Sequence, residues 1–236
     1  MNRPGEGSQT ARPIVGMITI GQSPRSDVVP DMVEILGPRV EIRERGALDG
    51  LSPREIAALA PEADDDLLVT RLADGSSVFV AKRHMVARVQ ARIDELEAGG
   101  VTMTALLCTG AFPRFHSRRP FVEPQEVLLG LLRGLSWEGR LGILTPSVPH
   151  VPQTEVRWRA AGFDPVVVPL SPYEEEDPAA LHAARAALSD GQAGLVVMDC
   201  IGFRRKTRDI LQRELGVPVL VANLLVARVV AELCGL

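Results

Sequence analysis

Short runs of β-branched and other apolar residues recur along the chain, separated by stretches in which apolar positions return every three or four residues. The runs at 14–20, 40–44, 101–107, 141–144, 165–168, 195–198 and 217–221 read as strands. Most are too uniformly apolar for a sheet with one wet face. The stretches at 26–36, 83–98, 124–133, 149–161, 178–189, 204–215 and 224–233 read as helices. Local signals support the boundaries. Ser52-Pro53-Arg54-Glu55 places a cap, a first-turn proline and a reciprocal glutamate in order, so a short helix starts there and ends near Pro61. Asp177 before Pro178 predicts another cap, and Gly99-Gly100 closes the long helix before it. Two strand-like runs flank Ala73-Asp74-Gly75-Ser76 and predict a β-hairpin. Strands alternating with helices predict an α/β fold with parallel sheets covered by helices on both faces. In such sheets ligands gather at the carboxyl ends of the strands, so the residues just past each strand carry the functional expectation.

The pattern also repeats. Val15-Gly16-Met17-Ile18-Thr19 is echoed by Leu141-Gly142-Ile143-Leu144-Thr145, and Leu107-Cys108-Thr109-Gly110 by Asp199-Cys200-Ile201-Gly202. Each half therefore has an early strand with an internal glycine and a later apolar strand ending in Cys-x-Gly. The predicted hairpin makes the first half longer. This implies two similar α/β halves whose strand ends face one cleft.

Composition narrows the function. The chain has 236 residues, 46 % of them hydrophobic and 24 % charged, which is ordinary for a packed globular protein. The net charge is −4 and only 4 % of residues are aromatic. Neither a basic surface for duplexes nor a stacking platform for single strands is implied, so nucleic acid is excluded as the expected partner. No apolar run approaches the roughly 20 residues of a membrane span. Residues 1–12 lack the apolar core of a signal peptide and read as a disordered leader. Three widely spaced cysteines make no disulfide framework, and a reducing cytoplasm is the expected compartment. Whether copies of the chain associate into a homo-oligomer stays open.

Cys108 and Cys200 carry the chemistry. A thiol at a strand end before glycine lies near free backbone N–H groups, which favour its thiolate. Two such thiols across a cleft suit proton removal from one face of a carbon and return to the other, a two-base racemisation or epimerisation. The plainer alternative is that buried cysteines are simply packed core residues. Ligand spacings for zinc are absent around the cysteines and His116, so no metal is expected.

Gly21-Gln22-Ser23-Pro24-Arg25-Ser26-Asp27 follows the first strand and offers an amide, a hydroxyl and a guanidinium for a carboxylate. It is no phosphate loop, because neither glycine-rich phosphate signature is present. Thr145-Pro146-Ser147 occupies the matching turn of the second half, with a helix cap as the alternative use of its hydroxyls. Thr109 and Gly110 after the first cysteine, and Gly202 after the second, complete the expected substrate-binding set with Gln22, Ser23, Arg25, Thr145 and Ser147. Asp199 is expected to point away from the Cys200 face, as strand alternation requires, and to orient a neighbour or cap Arg204 and Arg205. Arg114, Arg118 and Arg119 read either as a mobile lid or as a solvated crossover, and Glu174-Glu175-Glu176-Asp177 as an acidic loop before a helix. The basic run Arg204-Arg205-Lys206 reads as a solvated helix face. His150, near the Thr145 turn, is the one histidine placed near the cleft, and Cys234 reads as packing.

Taken together, Ile18-Thr19-Ile20-Gly21-Gln22-Ser23-Pro24-Arg25-Ser26-Asp27-Val28 resembles the signature near the start of AroM family proteins. Leu68-Val69-Thr70-Arg71-Leu72-Ala73-Asp74-Gly75, Leu107-Cys108-Thr109-Gly110-Ala111-Phe112 and Met198-Asp199-Cys200-Ile201-Gly202-Phe203 resemble further segments of that family. The two-cysteine layout is similar to the aspartate/glutamate/hydantoin racemase superfamily. That resemblance implies two similar α/β domains, each giving one cysteine to a cofactor-independent site between them. It also implies that the C-terminal strand and helix pack back onto the first domain, so the first comprises residues 13–119 plus 217–236 and the second 120–216. Amino-acid racemases of that superfamily usually follow the first cysteine with Asn-Thr and the second with Thr. Here the residues are Thr109-Gly110 and Ile201-Gly202, and the first-strand turn differs as well. These departures fall on substrate-holding positions, so the expected ligand is a small carboxylate but not specifically an amino acid. The superfamily also resembles decarboxylases and cis–trans isomerases that use one or both cysteines. A non-catalytic small-molecule binding protein with the same cleft is the third alternative.

Overall fold

The computed structural model describes residues 12–63, 66–173 and 177–236. The expected leader, apart from Arg12, and the acidic run Glu174-Glu175-Glu176 lie outside the described residues. In the first half the elements are β1 (Ile14–Thr19), α1 (Val29–Leu36), β2 (Glu41–Gly46), α2 (Pro53–Ala57), β3 (Leu67–Arg71), β4 (Ser77–Ala81), α3 (Lys82–Ala98), β5 (Met103–Leu107), β6 (Phe121–Val122) and α4 (Pro124–Arg133). In the second half they are β7 (Arg140–Thr145), a single 3₁₀ turn (Val148–His150) running into α5 (Val151–Ala160), β8 (Pro165–Pro169), α6 (Pro178–Asp190), β9 (Ala193–Met198), α7 (Arg205–Leu215), β10 (Val219–Val221) and α8 (Ala222–Leu233).

Each half builds one four-stranded sheet, in the order β2-β1-β5-β6 and β8-β7-β9-β10, with every neighbouring pair parallel. The two orders coincide when β1 is matched to β7, β2 to β8, β5 to β9 and β6 to β10, so the repeat read from the sequence extends to the topology. The glycines of the repeat have one physical reason. A Cβ on Gly16 would come within 2.9 Å of Leu96 on α3, and one on Gly142 within 2.7 Å of Leu188 on α6. Both positions let the covering helix seat a leucine directly on the sheet. The hairpin β3-β4 stands apart as a two-stranded antiparallel sheet and, among the described residues, has no counterpart in the second half.

The expected caps form. The Ser52 side chain accepts from the Glu55 N–H while Glu55 reaches back to the Ser52 N–H, and Asp177 accepts from the Ala179 N–H. The two-residue strand β6 was not anticipated; its pairing to Thr104 and Ala105 is too short to leave a periodic signal.

The largest apolar cluster takes Val15 and Met17 from one sheet, Ile143 and Val197 from the other, and Leu128, Val226 and Val230 from the helices between. Separate clusters fill the outer faces, one under α3 and the hairpin, the other under α6 and α7. The chain after Val217 divides. β10 hydrogen-bonds along β9 in the second sheet, whereas α8 crosses to lie on α1 and α4. The strand expected to return to the first half with its helix therefore stays in the second sheet, where an apolar Val-Leu-Val run extends the edge beside β9.

Candidate active site

The carboxyl ends of the central strands of both sheets open on one cavity of about 510 Å³. Cys108 enters it just past β5 and Cys200 just past β9, the matching positions of the two halves. The hairpin closes one side with Leu68, Val69 and Thr70, and α5 contributes His150 at its start and Arg157 farther along. Hairpin and α5 are tied together: Gln153 accepts from the Leu67 N–H at 3.1 Å and donates to the Leu67 carbonyl at 2.8 Å.

Both thiols are nearly covered, Cys108 being 8 % exposed and Cys200 6 %. Burial pushes the Cys108 thiol up to about 12, against a weak hydrogen bond from the Gly110 N–H at 3.4 Å, and charge on Cys200 pushes it further in the same direction. Cys200 is also raised by burial; the Tyr173 hydroxyl, 3.4 Å from its sulfur, and the Gly202 N–H act against that. Near neutral pH both side chains are therefore thiols.

The turn after β1 serves a different purpose from the one its polar groups suggest. Gln22 and Ser23 do not reach the cavity. The Gln22 side chain accepts from the Ala73 N–H at 2.9 Å and donates to the Leu48 carbonyl at 3.5 Å. Ser23 donates its N–H and its hydroxyl to Asp49 at 2.8 and 2.6 Å. A Cβ on Gly21 would strike Thr70 and the Arg71 carbonyl. The signature thus seats the hairpin and the 47–51 loop against the end of β1, because backbone groups of Ala73 and Leu48 engage Gln22 and the Asp49 carboxylate engages Ser23. The Ser23–Pro24 bond is cis. Arg25 does line the cavity, but it is only 2 % exposed and its guanidinium is committed. It pairs with Asp27 through two 2.8 Å bonds and donates to Thr19 at 3.0 Å. Burial works against its charge, but the hydrogen bonds and charge of Asp27 outweigh it, so Arg25 stays charged and Asp27 stays ionised.

The remaining expected residues divide in the same way. Thr109, Gly110 and Thr145 line the cavity. The Thr109 hydroxyl donates across the seam to the Asp199 carbonyl at 3.2 Å, and the Thr145 hydroxyl is shared with Thr154 at 3.0 Å. Ser147 is off the cavity wall and bonds His150 Nδ1 at 2.7 Å instead of capping a helix. Gly202 is also off the wall. The Tyr173 ring lies on it, and a Cβ there would approach the ring to 2.6 Å.

Sequence reasoning undervalued the polar seam between the halves. Asp199 does not cap Arg204 or Arg205. Its buried carboxylate accepts from Arg157 Nη2 at 2.5 Å and from Trp158 Nε1 at 2.7 Å. Arg157 also donates to the Thr109 carbonyl at 2.8 Å and to the Gln125 side chain. One guanidinium thus joins α5, β9, the Cys108 turn and α4. Arg157 belongs to no motif in the sequence; its position beside the apolar Trp158 was the available hint. Tyr173 carried no signal beyond being the single tyrosine of the chain. His150 is buried, and burial followed by the Arg157 charge lowers its pKa to about 4, so its imidazole is neutral at pH 7. Arg118 pairs with Glu97, which also accepts from the Arg118 and Arg119 N–H groups, so this crossover is fastened to α3. Among the described residues no group of three His, Cys, Asp or Glu side chains is arranged to hold a metal ion, and no helix is long and apolar enough to cross a membrane.

A family model described as AroM protein matches residues 15–234. No curated protein sequence matches the chain. Several solved structures share the fold. The maleate isomerase Iso from Pseudomonas putida S16 superposes with a TM-score of 0.64 at 13 % identity, covering 95 % of this chain and 93 % of its own. Allantoin racemase from Klebsiella pneumoniae gives 0.62 at 16 % identity, over 94 % and 88 %. Unliganded arylmalonate decarboxylase gives 0.60 at 17 % identity, over 94 % and 93 %.

Proposed function

Since the chain belongs to the AroM family, and its fold is that of racemases, an isomerase and a decarboxylase, we propose that it is a cofactor-independent isomerase of the racemase or epimerase type. Its substrate is a small carboxylate-bearing molecule, and Cys108 and Cys200 are its acid–base pair. One observation carries the reading: two thiols at equivalent strand ends of two like halves line a single cavity. The pair enters the cycle as one thiolate and one thiol. The thiolate takes the proton beside the substrate carboxyl group, and the C–H electron pair stays on carbon. The opposite thiol then protonates that carbon, so the two sulfurs exchange protonation states. Thr109, Gly110 and Thr145 hold the substrate, with the charge of Arg25 behind them. General acid–base chemistry of this kind contributes about 10²–10⁴-fold per positioned group.

The test is proton NMR in D₂O with a panel of chiral amino acids, hydroxy acids and hydantoins. The wild type is expected to exchange the proton on the stereocentre and to form the opposite isomer. Cys108→Ala and Cys200→Ala should each abolish the isomerised product. Full turnover by both single variants would overturn the reading. A second reading is favoured by the unlike surroundings of the thiols, a backbone N–H on Cys108 and a phenol on Cys200. In it Cys200 alone protonates a carbanion left by decarboxylation or assists a cis–trans isomerisation, and Cys108→Ala keeps activity.

A further inference from the structure

Among the described residues Tyr173 is the one protic side chain within hydrogen-bond reach of a cavity thiol, and its placement is built from both halves of the molecule. It follows β8, at the rim of the second sheet. Its hydroxyl lies 3.4 Å from Cys200 Sγ. Its ring rests on Gly202, where any side chain would displace it. From the other side Arg71, on the hairpin of the first half, donates to the Tyr173 carbonyl at 3.1 Å and places its guanidinium 5.5 Å from the ring centre. The phenol is thus clamped between a glycine it requires and an arginine carried by the hairpin of the first half.

We propose that Tyr173 is a positioning residue that donates its O–H to Cys200 and holds that sulfur, rather than Cys108, as the thiolate when the pair enters the cycle. Its catalytic meaning rests on the acid–base reading above; its electrostatic content does not. A hydrogen bond donated to the charged form favours that form. Among the described residues Cys108 has no comparable donor and receives the Gly110 N–H alone. The other charged and titratable groups around Cys200 act on both variants alike. The Arg25 charge favours its thiolate, Asp199 opposes it, and Cys108 faces it across the same cavity. The phenol itself stays protonated at working pH, because burial raises Tyr173 well above the ordinary range, as does charge on Cys200; it therefore keeps the proton it donates once Cys200 is a thiolate, which can only accept.

The measurement is the pH dependence of alkylation by iodoacetamide, read by mass on the full chain, with no substrate present. A Cys108→Ser/Cys234→Ser background isolates Cys200, and a Cys200→Ser/Cys234→Ser background isolates Cys108. Tyr173→Phe is introduced into each; it keeps the ring on Gly202 and removes only the hydroxyl. The expected result is a rise of about one unit in the Cys200 midpoint, a roughly tenfold slower reaction below it, with the Cys108 midpoint unmoved. An unchanged or lowered Cys200 midpoint overturns the proposal. So does a parallel shift of both thiols, since general loosening of the fold would produce that. Isomerase activity does not enter the readout, so failure of the functional reading and failure of this one are separable.

Discussion

Cys108 holds a proton that an exposed thiol would lose some three pH units earlier, and that difference is measurable as stability. Its pKa is about 12 in the folded chain, chiefly because of burial, against about 8.5 in an unfolded one. Below about pH 8.5 both states keep the proton and the native state has its full stability. Above that the unfolded chain loses the proton while the folded chain retains it, so stability falls as pH rises toward 12. The slope is about 1.4 kcal/mol per pH unit for one proton. Urea denaturation between pH 9 and 11 should therefore give a slope for Cys108→Ala that is shallower than wild type by about that amount. Equal slopes would mean that Cys108 titrates as an exposed thiol. At this scale the placement of the two cysteines on one cavity was legible, because a matched Cys-x-Gly at two strand ends is a pattern in itself. It was misleading for Gln22 and Ser23, whose side chains bond the hairpin and the 47–51 loop. No pattern in one sequence distinguishes an amide that binds a ligand from one that binds a backbone far along the chain.

The elements were largely legible because helix and strand periods differ and caps are explicit, as at Ser52 and Asp177. What escaped was pairing partner rather than existence: β6 was too short to register, and β10 went to the second sheet while α8 crossed to the first half. The repeated glycines give a test of helix-on-sheet packing. At Gly142 an added methyl would meet Leu188 at 2.7 Å, and Ala193, which has no side-chain bond to rotate, at 3.0 Å. At Gly16 it would meet the tip of Leu96 at 2.9 Å and Thr104 at 3.3 Å. A leucine tip yields more readily than an alanine Cβ. Gly142→Ala is therefore expected to cost about 1–3 kcal/mol in urea denaturation, the usual range for overpacking. Gly16→Ala should cost less, partly offset by the lower chain entropy of alanine. The reverse order would show that α3, not α6, is the tighter cover.

On the scale of the whole molecule, two sheets suggest two independent bodies, yet the central apolar cluster draws on both, and Arg157 fastens α5 to Asp199, Thr109 and Gln125. Neither half has a complete interior alone. Thermal unfolding followed by far-UV and tryptophan signals should give one coincident transition, and two resolved transitions would contradict a shared core. The sequence revealed the duplication but not this seam, because a residue buried between repeats carries the same local pattern as one buried within them. The duplication is also incomplete: the hairpin helps to clamp Tyr173 beside Cys200, and among the described residues neither hairpin nor clamp has a counterpart in the other half. For a racemisation this has a thermodynamic consequence. Mirror-image substrates are equal in free energy, so kcat/KM must be the same in both directions however unlike the two bases are. The asymmetry of the cavity can then surface only as kcat and KM changing by a common factor between enantiomers. One hand would bind tightly and turn over slowly, and the other would bind loosely and turn over fast.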